Sequence, residues 1–228
     1  MTNLGGSLQL QPKTYNFPGP VPNSGFVSMS FVPATLDRNG ICAAQQVAAG
    51  ADFLLNGALV SNGRANVNPS GGFGRCVATF SATDQAADTV TVYGFDVYGA
   101  PLVERIAGGN NATVAGLKAF GIITRVKADT AIAADMEIGT IDKFGLPCYL
   151  ADLADVVRVG WTQTLADNAA TVAVAVTTNP ATALTGDIRG TVIPSTAADG
   201  TRRLTLVQTA PSAALWRGAV RQYGAGIP

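Results

Sequence analysis

The feature that most constrains the fold of this chain is a series of short runs rich in Val, Ile, Thr and Phe. From Phe26 onward, Gly, Asn, Asp and Pro residues separate these runs at intervals of roughly 8 to 12 residues, a spacing typical of all-β proteins. The candidate strands are residues 26–32, 52–60, 75–81, 89–95, 102–108, 121–128, 136–142, 171–177, 188–194, 203–209 and 215–222. We therefore predict an all-β fold, an antiparallel β-sandwich or jelly-roll-like structure with little helix.

Two segments carry a more specific pattern. In residues 171–177, Val172, Val174 and Val176 alternate with Thr and Ala, which predicts a strand whose valines face a core. In residues 147–160, apolar side chains recur at helical spacing, so this segment is the best helix candidate. Its end, VVRVGW, equally fits a strand.

Pro and Gly residues divide the chain. Residues 1–25 hold four prolines and four glycines, which favours an extended N-terminal arm over regular structure. The arm carries Leu8, Leu10, Tyr15 and Phe17, so we expect it to pack on a neighbour or on its own body; the alternative is a disordered tail. The Gly and Pro near residues 143–150 suggest a boundary between a main β domain, 26–145, and a C-terminal β unit, 146–228.

The charge balance argues against a nucleic-acid-binding protein. Fifteen Lys and Arg residues match fifteen Asp and Glu residues, whereas nucleic-acid affinity depends on clustered cations. Only 13% of the residues are charged, so Thr, Asn, Gln and Ser must form much of the surface, which suits contact with another protein. The chain has no histidine, and therefore lacks the commonest general base and metal ligand. We expect no cofactor and no metal.

The sequence also favours a protein that is made and assembled in a cytoplasm. The N-terminus has no basic region followed by an apolar stretch, and no run of about 18 apolar residues is present, so neither a secretory signal nor a spanning helix is expected. The three cysteines, Cys42, Cys76 and Cys148, are widely spaced without a CxxC pair. We interpret them as buried, reduced thiols.

The segment from Gly74 to Gly145 contains two groups of turn and strand residues: Thr91, Val92, Gly94, Asp96, Gly99, Glu104, Ile106 and Gly108, followed by Lys118, Phe120, Ile123, Thr124 and Val126. In these residues the segment resembles a module of structural proteins of tailed bacteriophages. Proteins with this module are encoded beside capsid genes and serve as head decoration (cement) or other accessory virion proteins. The resemblance therefore implies a virion structural role.

The same residues also have a purely structural interpretation. Asp96–Gly99 fits a hairpin loop in which Asp bonds the following backbone and Gly supplies a positive φ. Glu104 and Arg105 are strand neighbours, so they point to opposite faces, and Glu104 could meet an arginine on an adjacent strand. An alternative makes Asp96 and Glu104 a carboxylate pair for glycoside hydrolysis, but the chain has only two glutamates.

Acidic pairs elsewhere provide a weak calcium hypothesis. Asp152 with Asp155, and Asp84 with Asp88, could each supply oxygens to a cation, but neither pair has the spacing of an EF-hand loop. We interpret both as solvated acidic turns.

The C-terminal region contains candidate interface residues. Trp216 lies among Arg202, Arg203, Arg217 and Arg221, and Trp and Arg are enriched at interface hot spots. With Tyr223, these residues could meet an acidic capsid surface; the alternatives are a core tryptophan and an ordinary solvated rim.

These observations lead to one functional hypothesis and two alternatives. We expect a non-enzymatic virion protein that binds the major capsid protein on the outside of a phage head, and that forms a homo-oligomer, with a trimer favoured. It would contact neither nucleic acid nor membrane. The alternatives are a neck, tail or baseplate protein and a host-glycan-binding β protein.

Overall fold

A computed structural model describes residues 8–9, 25–68, 71–161, 165–178, 182–212 and 215–218. In chain order, its strands are β1 Leu8–Gln9, β2 Phe26–Phe31, β3 Cys42–Val47, β4 Val60–Ser61, β5 Arg64–Asn66, β6 Arg75–Ser81, β7 Thr89–Phe95, β8 Pro101–Ala107, β9 Thr113–Phe120, β10 Ile122–Ala128, β11 Ile132–Gly145, β12 Val156–Trp161, β13 Leu165–Ala166, β14 Thr171–Ala173, β15 Thr191–Ile193 and β16 Leu204–Thr209. Within these residues, the one helical segment of three residues or more is a 3₁₀ turn, Leu153–Asp155.

The strands form three sheets. The first has the order β1-β2-β16-β12-β13, the second β4-β5-β10-β7-β8, and the third β14-β15-β11-β6-β9 with β3 also paired to β11. All pairings are antiparallel except β1 with β2. The predicted all-β fold is confirmed, and its packed antiparallel sheets are consistent with a β-sandwich.

The first hydrophobic core lies between the second and third sheets. Strand β7 directs Val90 and Val92 inward by alternation, and an irregularity between Ile123 and Arg125 lets β10 direct both Ile123 and Val126 inward; all four are fully buried. Strand β6 is buried along its whole length. It lies between β11 and β9 in the third sheet, and its buried residues include the polar side chains of Arg75, Thr79 and Ser81.

The second core lies under the first sheet. It contains Met29 and Phe31 of β2, Leu204 and Leu206 of β16, and Trp161 of β12. A further set of side chains comes from the end of β11 and the segments after it: Phe144, Leu146, Leu150 and Val192.

Strand β11 joins the two cores because it is 14 residues long. Ile132, Met136 and Ile138 lie in the first core, and Phe144 lies in the second. Strand β11 also pairs with β15 through Phe144 and Gly145. Likewise, β2, which lies within residues 26–145, pairs with β16, which lies within residues 146–228. The sheets therefore continue across the boundary predicted near residues 143–150, and the division into units 26–145 and 146–228 stays a prediction.

Several predicted elements differ from the structure. Residues 52–60 form an isolated bridge at Asp52 and a loop that ends in β4, because Gln45 and Asn56 side chains, rather than a ladder, hold this segment to β3. The helix expected in 147–160 is a single 3₁₀ turn followed by β12, the strand alternative. Strand β9, which the sequence analysis missed, pairs with β6 in the third sheet.

The C-terminal strand predictions were only partly correct. The strand expected at 171–177 is limited to Thr171–Ala173, and Val174 is exposed rather than buried. The buried residue beyond it is Ala175, which donates its N–H to Leu150 O. Residues 215–218 form a turn instead of the strand expected at 215–222, and residues 219–222 lie outside the described residues.

Candidate functional site

Strands β7 and β8 form a hairpin whose turn is fixed by Asp96. Its Oδ1 accepts hydrogen bonds from Tyr98 N and Ala100 N, each at 2.8 Å. Gly99 adopts a φ of +79°, a left-handed conformation that an L side chain rarely adopts. The sequence-based prediction of this turn is confirmed, including the roles of Asp and Gly.

The other carboxylate oxygen of Asp96 forms a buried ion pair. Arg189 Nη1 lies 2.7 Å from Asp96 Oδ2, and both side chains are about 1% exposed. Burial alone would lower the pKa of the Arg189 guanidinium, but the charges of Asp187 and Asp96 outweigh burial and raise it. Arg189 therefore carries its charge at all physiological pH values.

Glu104 is the second buried carboxyl of this segment. It extends from β8 toward β9, the edge strand of the third sheet, and accepts backbone hydrogen bonds from Leu117 N and Lys118 N. Burial raises the pKa of Glu104 to about 7, although these hydrogen bonds and the charges of Lys118 and Lys143 act in the opposite direction. The prediction that Glu104 meets an arginine is therefore wrong. Its neighbours are the backbone amides of Leu117 and Lys118 and the charged side chains of Lys118 and Lys143.

Lys118 makes the reciprocal contact. From β9, its Nζ donates to Val103 O on β8 at 2.9 Å and to Thr182 O at 2.7 Å. Burial lowers the pKa of Lys118, while the charges of Glu104 and Asp187 oppose this effect. The edges of β8 and β9 are thus joined by two side chains, each of which binds the backbone of the opposite strand.

Residues 182–189, named here the strap, close this junction from outside. Arg105 N donates to Ala183 O at 2.8 Å, and Ala119 N donates to Asp187 Oδ2 at 2.9 Å. The Arg189 ion pair anchors the end of the strap to the hairpin. Two strand edges that would otherwise present unpaired backbone groups are therefore covered within the chain. We call Asp96, Glu104, Lys118, Asp187 and Arg189 the seam cluster.

The carboxyl groups of the seam cluster form hydrogen bonds within the chain. Asp96 and Glu104 are 4% and 2% exposed, and their oxygens accept hydrogen bonds from the chain's own backbone or from Arg189. Glycoside hydrolysis requires two carboxyl groups that flank a bound sugar. The geometry instead places each carboxyl where it holds two segments together.

The predicted C-terminal interface residues lie in different environments. Trp216 is 6% exposed and packs against Val27 and Cys148, so it belongs to the chain's own core. Arg217 is exposed, and its guanidinium carbon lies 5.7 Å from the centre of the Tyr98 ring. Arg221 and Tyr223 lie outside the described residues.

The predicted arm is described at two residues. Leu8 and Gln9 form β1, which pairs in parallel with Val27 and Ser28 at the edge of the first sheet. The arm thus meets the chain's own body at this point. Leu10, Tyr15 and Phe17 lie outside the described residues.

The three cysteines are buried, and Asp152 of one predicted acidic pair binds a backbone amide. Cys42, Cys76 and Cys148 are buried and unpaired by disulfides, and burial raises the pKa of each thiol, to about 12 for Cys42. Asp152 Oδ1 accepts from Ala154 N at the start of the 3₁₀ turn. Across the described part of the chain, no group of three potential metal-ligating side chains is present.

No helix among the described residues has the length and hydrophobicity needed to cross a membrane. Comparison of the chain with protein-family models, curated proteins and solved structures found no match.

Proposed function

We propose that this protein is a non-enzymatic structural protein of a tailed-bacteriophage virion, which binds the outside of the capsid and stabilises it. The observation that carries the proposal is the seam cluster. Three residues that support the resemblance, Asp96, Glu104 and Lys118, are buried here and hold strand edges together. The mechanical role of these residues suits a shell component.

The surface composition supports the same proposal. Among the described residues, six charged side chains are buried, namely Arg75, Asp96, Glu104, Lys118, Asp187 and Arg189. They come from a total of only thirty charged residues in the chain, the sum of fifteen cations and fifteen anions. The exterior is therefore even poorer in charge than the composition indicates, and burying polar groups that find hydrogen-bond partners across an interface costs less than burying charged ones.

The stabilising effect would come from binding linkage. A protein that binds the closed shell, but not separated capsid subunits, stabilises the shell by mass action. The N-terminal arm would add contacts across a subunit boundary and raise avidity through effective concentration. Pairing of sheet edges between copies would favour a closed ring, such as a trimer. Its partners would be the major capsid protein and other copies of itself, on a virion assembled in the host cytoplasm.

Quantitative mass spectrometry of purified particles tests this proposal. The copy number relative to the major capsid protein should correspond to hundreds of copies per particle. Particles that lack the protein should release DNA at a lower temperature, and adding back purified protein should restore the wild-type temperature.

Other outcomes would reject the decoration role. A count near six or twelve would indicate the neck, tail or baseplate alternative, since those rings contain few copies. Absence from purified particles would contradict any virion role and favour the host-glycan-binding alternative.

A further inference from the structure

An open groove lies where β12 loses its partner strand. Strand β13 pairs only with Gly160 and Trp161, and Asp167 N then donates to Val159 O at 2.9 Å. Beyond Asp167 the chain turns away to form β14 in another sheet. In the described part of the chain, no strand pairs with residues 156–158 of β12 on this side.

Most of the residues that line the groove are apolar, and the polar ones are Arg158, Asp167 and Asn168. Its volume is about 360 Å³, and its lining includes Leu153, Val156, Val157, Ala170 and Val172. Leu153 and Val157 are each 55% exposed. A register shift between Val156 and Arg158 in the pairing with β16 leaves Val157 outside the regular ladder, and bulges of this kind redirect side chains at sheet edges. We call this site the edge groove.

The cationic residue that lines the edge groove, Arg158, forms no ion pair with another described residue. Arg158 Nε is buried without a hydrogen-bond partner among the described residues. The Asp167 carboxylate also lines the groove, but its Oδ2 accepts from Ser195 N at 2.8 Å and it forms no ion pair with Arg158. An unpaired buried donor of this kind is unfavourable until an acceptor arrives.

These three features define the chemistry of an occupant. An unpaired strand edge provides backbone donors and acceptors for an added strand. Apolar walls accommodate the side chains on one face of that strand, since alternate residues point the same way. A guanidinium favours a carboxylate over a neutral or cationic group.

We propose that the edge groove binds an extended acidic-apolar segment of a partner protein, which adds as a strand to β12 and places a carboxylate on Arg158. This inference goes beyond the proposed virion role and does not depend on it. The partner segment would contribute main-chain hydrogen bonds for affinity, and its acidic residue would determine specificity.

Peptide titrations followed by NMR test the proposal on the full-length protein labelled with ¹⁵N. The probes are three blocked hexapeptides that alternate valine with threonine, with one threonine replaced by glutamate, glutamine or lysine. The glutamate peptide should shift the amide signals of Val157, Arg158 and Asn168. It should bind at least tenfold more tightly than the lysine peptide.

Variants separate the contribution of Arg158 from nonspecific apolar binding. Arg158→Gln should remove the preference for the glutamate peptide over the glutamine peptide. Val157→Asp, at an exposed position that tolerates a polar side chain, should weaken binding of the glutamate peptide at least tenfold. Arg64→Gln is the matched control, because Arg64 is an exposed arginine on β5 in another sheet.

Three results would overturn the proposal. The first is that no peptide shifts these amide signals at millimolar concentration. The second is equal binding of all three peptides, which would indicate unspecific apolar contact. The third is an unchanged glutamate preference in Arg158→Gln with a spectrum that shows a folded protein.

Discussion

Replacement of Glu104 by Gln should change how the stability of this protein depends on pH. The Glu104 side chain is 2% exposed, and burial raises its pKa from the ordinary 4.5 to about 7. The folded state therefore holds a proton that the unfolded state releases in the window between pH 4.5 and pH 7. Each pKa unit corresponds to about 1.4 kcal/mol, so the difference amounts to about 3 kcal/mol at most.

The sign of the effect follows from proton linkage. A folded-state pKa above the unfolded value contributes stability that is fully present below pH 4.5 and is lost as the pH rises through about 7. Wild-type protein should therefore lose up to about 3 kcal/mol of unfolding free energy between pH 4.5 and pH 8 from this group. The Glu104→Gln variant should lack this loss.

Charge counting within the seam cluster gives the same direction. With Glu104 protonated, the charges of Lys118 and Arg189 balance those of Asp96 and Asp187 inside a buried region. Ionisation of Glu104 adds an uncompensated negative charge, which is costly where water is excluded. The charge of Lys143 on β11, whose Nζ donates to Gly116 O at 3.0 Å, offsets part of this cost.

Urea denaturation at a series of pH values measures the effect. The unfolding free energies of wild type and Glu104→Gln should be compared at half-unit steps from pH 4.5 to pH 8. The matched control is Glu137→Gln, since Glu137 is the other glutamate of the chain and forms a partly exposed ion pair with Arg38. Exposed pairs contribute about 0.2–1 kcal/mol, so this control should differ little from wild type.

A flat difference between wild type and Glu104→Gln across this range would refute the reasoning. It would mean that the backbone amides and the lysines stabilise the ionised carboxylate as well as water does. A difference of the opposite sign would show that Glu104 is more acidic in the folded protein than in the unfolded chain.

Three further predictions concern the same structure. Arg189→Met should lower the urea unfolding free energy by about 3–5 kcal/mol, because it leaves the Asp96 carboxylate buried without its cation; Arg202→Met, which removes an exposed ion pair with Asp199, should cost less than about 1 kcal/mol in the same assay. Gly116→Ala should lower the melting temperature and displace Glu104, because the added Cβ would lie 2.8 Å from Glu104 Oε2 and 2.7 Å from Val77 O; a crystal structure with Glu104 unmoved would contradict this. Native protein should resist labelling by a thiol reagent at pH 8 and react at three cysteines in denaturant, because all three thiols are buried; rapid labelling of the native protein would contradict the burial.

The sequence predicts the strands of this fold best where packing and local pattern agree. Strands β6 and β7 match their predicted bounds for two reasons. Their Val, Thr and Phe residues prefer an extended backbone, and most of their residues are buried. Residues 171–177 have an equally regular pattern, but only three of them pair, because β15 is itself three residues long. A strand cannot extend beyond the partner available to it, and the partner is a property of the tertiary structure.

The seam cluster could be predicted only in part. The Asp96 turn was accessible because its hydrogen bonds are local, within four residues. The ion pair with Arg189 joins residues 93 positions apart, and nothing in the local pattern of residues 182–189 identifies a buried arginine. Lys118 occupies an inward position, on the same face of β9 as the buried Gly116 and Phe120. That periodicity is a signal for a buried lysine.

The seam cluster also has a consequence for how the strand edges find each other. An ion pair that is buried in this way contributes less stability than well-packed apolar side chains of similar volume, because both charges must leave water. What it provides is selectivity, since Glu104 and Lys118 satisfy each other's strands only when β8 and β9 lie at one register. Strand β8 pairs with β7 and strand β9 pairs with β6, so these side-chain contacts align two edges of different sheets, and displacing one edge along the other would leave the amides of Leu117 and Lys118 without an acceptor. We therefore infer that these charges hold the two edges together in one specific alignment.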